Sequence, residues 1–328
     1  MNRADLITQI CTGVDMSEQE DQDACGLFLS QNAKLVWGRA MWKDSVAQFT
    51  STIGDAGAGM TTALWLPSRA TFLCPAMVDR VLACRLDSRY LNIEDQGVYF
   101  RFDMEVFDVQ GIPSQFHLLS PCVWEWDTAV AVRLEASEQD PSLSAVVDYL
   151  STDNFTVTRA TVAGTDFGQD FATTLRIDAM TKQVTDGSAI IVDDTNEEEV
   201  FAVGASDTAA ALRQRIRLVK IPTGNNTLRV LAKVVMPTFT ADADNPPIRG
   251  SEDVLIALTQ ADMYQREHQV GKAEAKKQEA AGHYESLFRL ETVQQAHNKR
   301  LIPDDGFGET NMGVGAGWDW DYVTSSKI

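Results

Sequence analysis

ADMYQREHQVGKAEAKKQEAAGHYESLFRLE, Ala261 to Glu291, is the stretch whose reading decides how the rest of the chain is arranged. It reads as one long helix, but its apolar bulk is confined to the ends: Leu255, Leu258 and Tyr264 on one side, Tyr284, Leu287 and Phe288 on the other. Between them alanines alternate with charges, and Gln269, Lys272, Lys276 and Glu279 are expected to face solvent or neighbours. A helix this polar holds only with docked ends, many i,i+4 pairs or adjacent copies of itself. It reads as a strut, and a strut favours a symmetric assembly. Two of the four histidines, His268 and His283, lie in it. In a continuous helix they would stand ~22 Å apart at ~1.5 Å per residue, too far to share a metal.

Upstream, PTFTADADNPPIRG (237–250) carries three prolines and reads as a linker. Ser251, with Glu252 and Asp253 after it, is the expected cap of the strut. The first sixty residues are also expected to be helical. Asn2 caps a first helix that carries Leu6, Ile7 and Ile10 on one face and ends at Gly13. Asp15 or Ser17 caps a second, with Glu18, Glu20 and Asp21 at its positive end, and Leu27, Leu35, Trp42, Val46 and Phe49 recurring at helical spacings. Trp37, Trp42 and Phe49 are expected in the core.

From Ala63 to Trp126 the apolar period falls toward two, as in VYFRFDMEVFDV, and strands follow. Residues 127–239 form a Thr/Val/Asp/Gly-rich block without tryptophan whose seven short strands predict a small Ig-like β-sandwich. The fold class expected is therefore α+β. Residues 1–126 and 240–300 build a helical and β body, 127–239 an inserted sandwich, and the glycine-rich 301–328 an extended arm.

With 328 residues and a net charge of −19, the chain has no general grip on nucleic acid. The one basic candidate is LRQRIRLVK, where Arg213, Arg215 and Arg217 alternate against Ile216 and Leu218. It is either a solvated strand edge that resists aggregation or a basic stripe for DNA or an acidic neighbour. Trp318, Trp320 and Tyr322 alternate in GWDWDY and would share one face of an extended arm docked on a neighbour. Five scattered cysteines read as reduced core thiols. No stretch is apolar enough for a membrane helix, and MNRADLITQI lacks a signal core. DDTNEEE (193–199) lacks the ligand alternation of a calcium loop and reads as a solvated turn. No metal, cofactor or catalytic residue is expected, and the chain is read as no enzyme.

The run DADNPPIRGSEDVLIALTQADMYQREHQVGKAEAKKQEAAGHYE (242–285) resembles the C-terminal part of head–tail connector (adaptor or neck) proteins of tailed bacteriophages. There a proline-containing linker leads to an Ala/Leu-rich helix, here LIALTQADMYQRE. A Gly-Lys-Ala step and a charged Ala/Glu/Lys/Gln run follow, here GKAEAKKQEAAGHYE. NAKLVWGRAMWKDS (32–45) resembles the family's helix with spaced tryptophans. The resemblance implies a virion protein of the neck or tail, made in the host cytoplasm. It implies twelve copies in a ring that contacts portal and tail proteins while DNA passes through without sequence-specific binding. The alternative is another tail or baseplate protein whose β-sandwich binds a partner or a host glycan.

Overall fold

The computed structural model describes residues 1–16, 18–54, 64–93, 110–137, 143–153, 156–184 and 187–299, with residues 291–299 as backbone only. The chain is α+β and divides into two compact units, one from residues 1–47 and 233–328, the other from residues 48–232.

The first unit is helical. Helix α1 (Arg3–Val14) starts with a capping box: Asn2 accepts from the Asp5 N–H while the Asp5 carboxylate accepts from the Asn2 N–H. It runs one residue past Gly13 and ends on Asp15 in the left-handed region, φ 58°. Helix α2 (Gln19–Arg39) carries Glu20 and Asp21 in its first turn, and its first flanking residue is Glu18. Ser17 lies outside the described residues. The predicted continuation to Phe49 does not occur: the chain leaves the helix at Arg39, and strand β1 (Val46–Ile53) follows a short 3-10 turn. The apolar spacing of Trp42, Val46 and Phe49 suits either period. Trp42 decides the outcome, because its indole N–H turns back to the Val36 carbonyl at 2.8 Å and fills the core beside the helix end.

The single strut is also corrected. It is two helices, α3 (Glu252–Arg266) and α4 (Val270–Lys299). Between them His268 sits at φ 58°. The His268 N–H donates to the Gln265 carbonyl and the Gln269 N–H to the Tyr264 carbonyl, the paired bonds that end a helix around a left-handed residue. His268 is thus a turn residue, a position where glycine is most at home. His268→Gly is expected to raise stability by about 0.5–1 kcal/mol, read as a higher urea midpoint at unchanged m.

Helix α4 folds back on α3. Ala273, Ala280 and Leu287, seven residues apart, are the buried positions among its described side chains, while Gln269, Lys272 and Glu279 are exposed. A polar helix is therefore held by an alanine seam against a neighbour within its own chain. Helices α1 and α2 pack on α3, joining Leu6, Ile10, Leu29 and Val36 to Val254, Leu255 and Met263 in one core. The approach is close: a Cβ on Gly13 would lie 2.3 Å from Gln260 Nε2, and one on Gly26 would lie 2.6 Å from Arg3 Nη2. Asn32, buried in this interface, donates to the Asp262 carboxylate at 2.8 Å and to Thr259 Oγ1 at 3.3 Å. Ser251 does precede α3, but its hydroxyl donates to the Ile248 carbonyl and caps no helix N–H.

The second unit is built from β1, β2 (Trp65–Leu66), β3 (Thr71–Leu73), β4 (Val78–Leu86), β5 (Arg89–Ile93), β6 (Gln110–Gly111), β7 (Gln115–Cys122), β8 (Trp124–Ala136), β9 (Ser144–Ser151), β10 (Val157–Ala163), β11 (Asp170–Lys182), β12 (Ala189–Asp193), β13 (Glu198–Val203), β14 (Arg213–Leu218), β15 (Ile221–Pro222) and β16 (Asn226–Val234). An eight-stranded sheet has the order β1-β16-β4-β5-β7-β14-β3-β2. It curls until its outermost strands approach, and the Trp65 indole N–H donates to the carbonyl of Gly54, just after β1, at 2.6 Å. Inside are Ile53, Phe72, Val81, Leu91, Phe116, Ile216, Leu228 and Val230.

A six-stranded antiparallel sheet, β10-β9-β11-β8-β12-β13, has its own core of Val130, Val132, Leu134, Val147, Ile177, Met180 and Ile191. The predicted sandwich over 127–239 is thus divided between two sheets. Its strands up to Val203 form this second sheet, whereas β14 and β16 return to the first. Alternation identifies a strand but not its partner. Here the apolar faces of Ile216, Leu218, Leu228 and Val230 complete the core around Phe72 and Phe116. The expected boundary at residue 127 falls inside β8. The whole of VYFRFDMEVFDV and of 301–328 lies outside the described residues.

Candidate functional site

Strand β14 buries Arg215 and leaves Arg213 and Arg217 half-buried. It pairs with β3 on one side and β7 on the other, so it is no sheet edge. Arg215 is buried and its Nε lies 2.8 Å from Glu125 Oε2, while its Nη1 donates to the Ser120 carbonyl at 3.1 Å. Arg213 lies over the Trp124 ring at 4.9 Å and donates to the Cys74 carbonyl. Burial lowers its pKa, and the nearby Cys122 offsets part of that. Arg217 is half-buried opposite Thr71 and His117. The solvated-edge reading of Arg213, Arg215 and Arg217 is corrected, since β14 has strands on both sides. Arg215, buried against the Glu125 carboxylate, takes no part in a surface stripe.

Glu125 organises the place. Its side chain is 1% exposed, and its second oxygen receives Arg69 Nη1 at 2.7 Å. Two guanidiniums therefore flank one carboxylate away from water, and deleting the carboxylate alone costs about 3–5 kcal/mol in such settings. Directly across β11 stands Arg176, which holds Asp178 at 2.5 and 3.2 Å. Burial by itself would lower the Arg176 pKa. The hydrogen bonds and charge of Asp178, with Glu125 nearby, turn the net shift upward. On the same β8 strand, Asp127 accepts from the Ser68 N–H at 3.0 Å and the Ser68 hydroxyl at 2.5 Å.

The local backbone is bent to make these meetings. Ser68 and Arg69 lie on a 3-10 turn that ends at Ala70, fully buried and at φ 48°. Register shifts fall between Arg213 and Arg215 on β14 and between Thr174 and Arg176 on β11. Thr174 fills its bulge, its hydroxyl donating to the Leu150 carbonyl at 2.6 Å. The one sequence signal for all this is an acid inside an aromatic run, VWEW (123–126), which marks a buried charge in need of a cation. Its partners Arg69 and Arg215 are far away in sequence. Each carboxylate of the cluster is held by groups of its own chain: Glu125 by Arg69 and Arg215, Asp178 by Arg176, and Asp127 by Ser68.

The remaining candidates are settled by their surroundings. All five cysteines are free and buried, and burial pushes the Cys74 and Cys122 thiols up to about 12. Thiols so protonated are poor nucleophiles. His268 is exposed in its turn, and His283 lies 3.7 Å from Glu279. Glu279 is held below the usual carboxylate range first by its hydrogen bond from Lys276, then by the Lys276 and His283 charges. In DDTNEEE, both Asp193 oxygens are taken by its own turn: Oδ1 accepts from the Thr195 and Asn196 N–H groups, and Oδ2 from Asn196 Nδ2. Asp194 pairs with Arg133. The expected solvation holds for residues 195–199, which are exposed, whereas Asp193 is buried. Trp318, Trp320 and Tyr322 lie outside the described residues. Among the described residues, no group of three or more metal-ligating side chains gathers and no helix is long and apolar enough to cross a membrane. No family model matches the chain, and no curated protein matches it.

Proposed function

We propose that the chain is a virion structural protein, a subunit of the ring that joins a bacteriophage portal to its tail. The observation that supports this reading most is the make-up of the helical unit. Residues 1–47 and the segment after 232 share one core, with the whole β-region looped out between them. That agrees with the resemblance in one respect, a helical body assembled from two separated pieces, while the inserted six-stranded sheet departs from the family's compact pattern. The copy number of twelve and the portal as partner rest on the resemblance. A channel lined by such an acidic chain, net −19, would repel DNA and let it slide. In this reading the protein is no enzyme, and Trp318, Trp320 and Tyr322 dock the C-terminal arm on the portal or the next subunit.

Light scattering on the full chain, alone and mixed with portal rings, tests the proposal. A ring, or a monomer recruited to portal and released when residues 301–328 are removed, supports it. A monomer indifferent to portal overturns it, and then favours a tail or baseplate protein whose β-domain binds a partner or a host glycan.

A further inference from the structure

We propose that the Arg69–Glu125–Arg215 cluster is an orientation latch. It fixes a single angle between the six-stranded and the eight-stranded sheet, which are otherwise joined by two short crossings of the chain.

The crossings are visible in the strand order. Cys122 ends β7 and Trp124 begins β8, with Val123 alone between them; the return runs from Val203 to Arg213. Both open onto the same cluster, because Arg213 begins β14 and lies over Trp124, which begins β8. Glu125 is the next residue of β8, and it is held by Arg215 of β14 and by Arg69 of the turn before β3. All the groups named in the cluster face this crossing: Arg69, Arg213 and Arg215 from the eight-stranded side, and Glu125, Asp127, Arg176 and Asp178 from the six-stranded side.

Packing efficiency does not account for the arrangement. A buried carboxylate between guanidiniums is often no more stable than apolar side chains of similar volume, and its retention is best explained where it selects one geometry. An apolar contact between curved sheets tolerates small rotations. A two-sided Arg–Glu–Arg bridge does not: the Arg69 hydrogen bond has a narrow angular range, and rotation would pull the buried Arg215 charge away from Glu125, which it meets at 2.8 Å as an ion pair. The left-handed Ala70 and the two bulges belong to the same device, since they aim Ser68, Arg69, Arg215 and Arg176 at β8. The latch does not depend on the connector reading.

Spin labels at Ser88→Cys, in the exposed turn after β4, and Thr161→Cys, on exposed β10, report the angle as a distance distribution. The buried native thiols stay unlabelled. The background protein is expected to give one narrow distance. Arg69→Met/Glu125→Leu/Arg215→Met, which replaces the bridge with apolar bulk, is expected to melt cooperatively but to broaden the distribution at least twofold. Glu125→Asp keeps the charge and shortens the reach, so that it cannot hold both arginines; a clear broadening is expected there too. If the triple variant fails to fold, Glu125→Asp decides. A distribution as narrow as the background in the folded variant overturns the latch and assigns the angle to the crossings alone.

Discussion

Trp42→Ala is expected to destabilise the helical unit by about 3–5 kcal/mol, the range for removing a large aromatic from a core that cannot close over the gap. Trp42 is 1% exposed, and its contacts are of several kinds at once. Its N–H satisfies the Val36 carbonyl at 2.8 Å in the last turn of α2, where helical partners run out. Its ring meets Tyr284 of α4 edge to face at 5.7 Å, and Tyr284 in turn stacks on Phe288 at 6.4 Å. Its own carbonyl accepts from the Ser45 N–H and hydroxyl, shaping the turn into β1. Thermal melts followed in the near-ultraviolet should show the loss as a fall in Tm of roughly 6–20 °C. Trp42→Phe keeps most of the burial and loses the hydrogen bond, so a cost nearer ~1–2 kcal/mol is expected. A Trp42→Ala loss under ~1 kcal/mol would show that the residue fills space without organising the corner.

Lys233→Met is expected to cost about 2–3 kcal/mol while sparing the apolar stem. The Lys233 ammonium is buried and donates to the Trp37 carbonyl at 3.1 Å and the Ala40 carbonyl at 3.3 Å. Those carbonyls lie at the C-terminal end of α2, where the helix dipole favours a cation. The next residue reciprocates, since the Trp37 indole N–H donates to the Val234 carbonyl at 3.2 Å. Methionine keeps the length and leaves two buried acceptors without a charged donor, each worth ~1.5–3 kcal/mol before relaxation. Urea unfolding should show a lower midpoint at unchanged m. The loss should persist in 1 M salt, because a buried bond is poorly screened. A loss that vanishes in salt would mean that the ammonium reaches water.

What the sequence made legible is what depends on near neighbours. The Asn2 capping box, the acids at the start of α2, and the strand character of RQRIRL and TLRVLAKV all follow from side chains within a few positions. Errors arose where two distant segments decide the outcome. Val46 and Phe49 fit a helical period, but the helix ends where Trp42 packs against the far-off Tyr284. His268 carries no glycine signal, yet it takes the left-handed conformation because α4 has an alanine seam to lay on α3. Arg215 looked solvated because Glu125 stands ninety positions earlier and β3 later proves to be its neighbour. The strand partners of β14 were equally out of reach, since register is a property of pairs.

The discontinuous helical unit carries a consequence for biosynthesis. Helices α1 and α2 leave the ribosome with Leu6, Ile10, Leu29 and Val36 ready to be covered, but the α3 side chains that cover them lie beyond the whole second unit. At ~5–20 residues per second, translating residues 48–232 takes on the order of 10–40 s. During that interval the nascent helices present a sticky apolar face while the β-unit, continuous in the chain, is free to form first. A holding chaperone that binds amphipathic helices therefore has a defined window on this protein, and it closes when Val254, Leu255 and Met263 emerge.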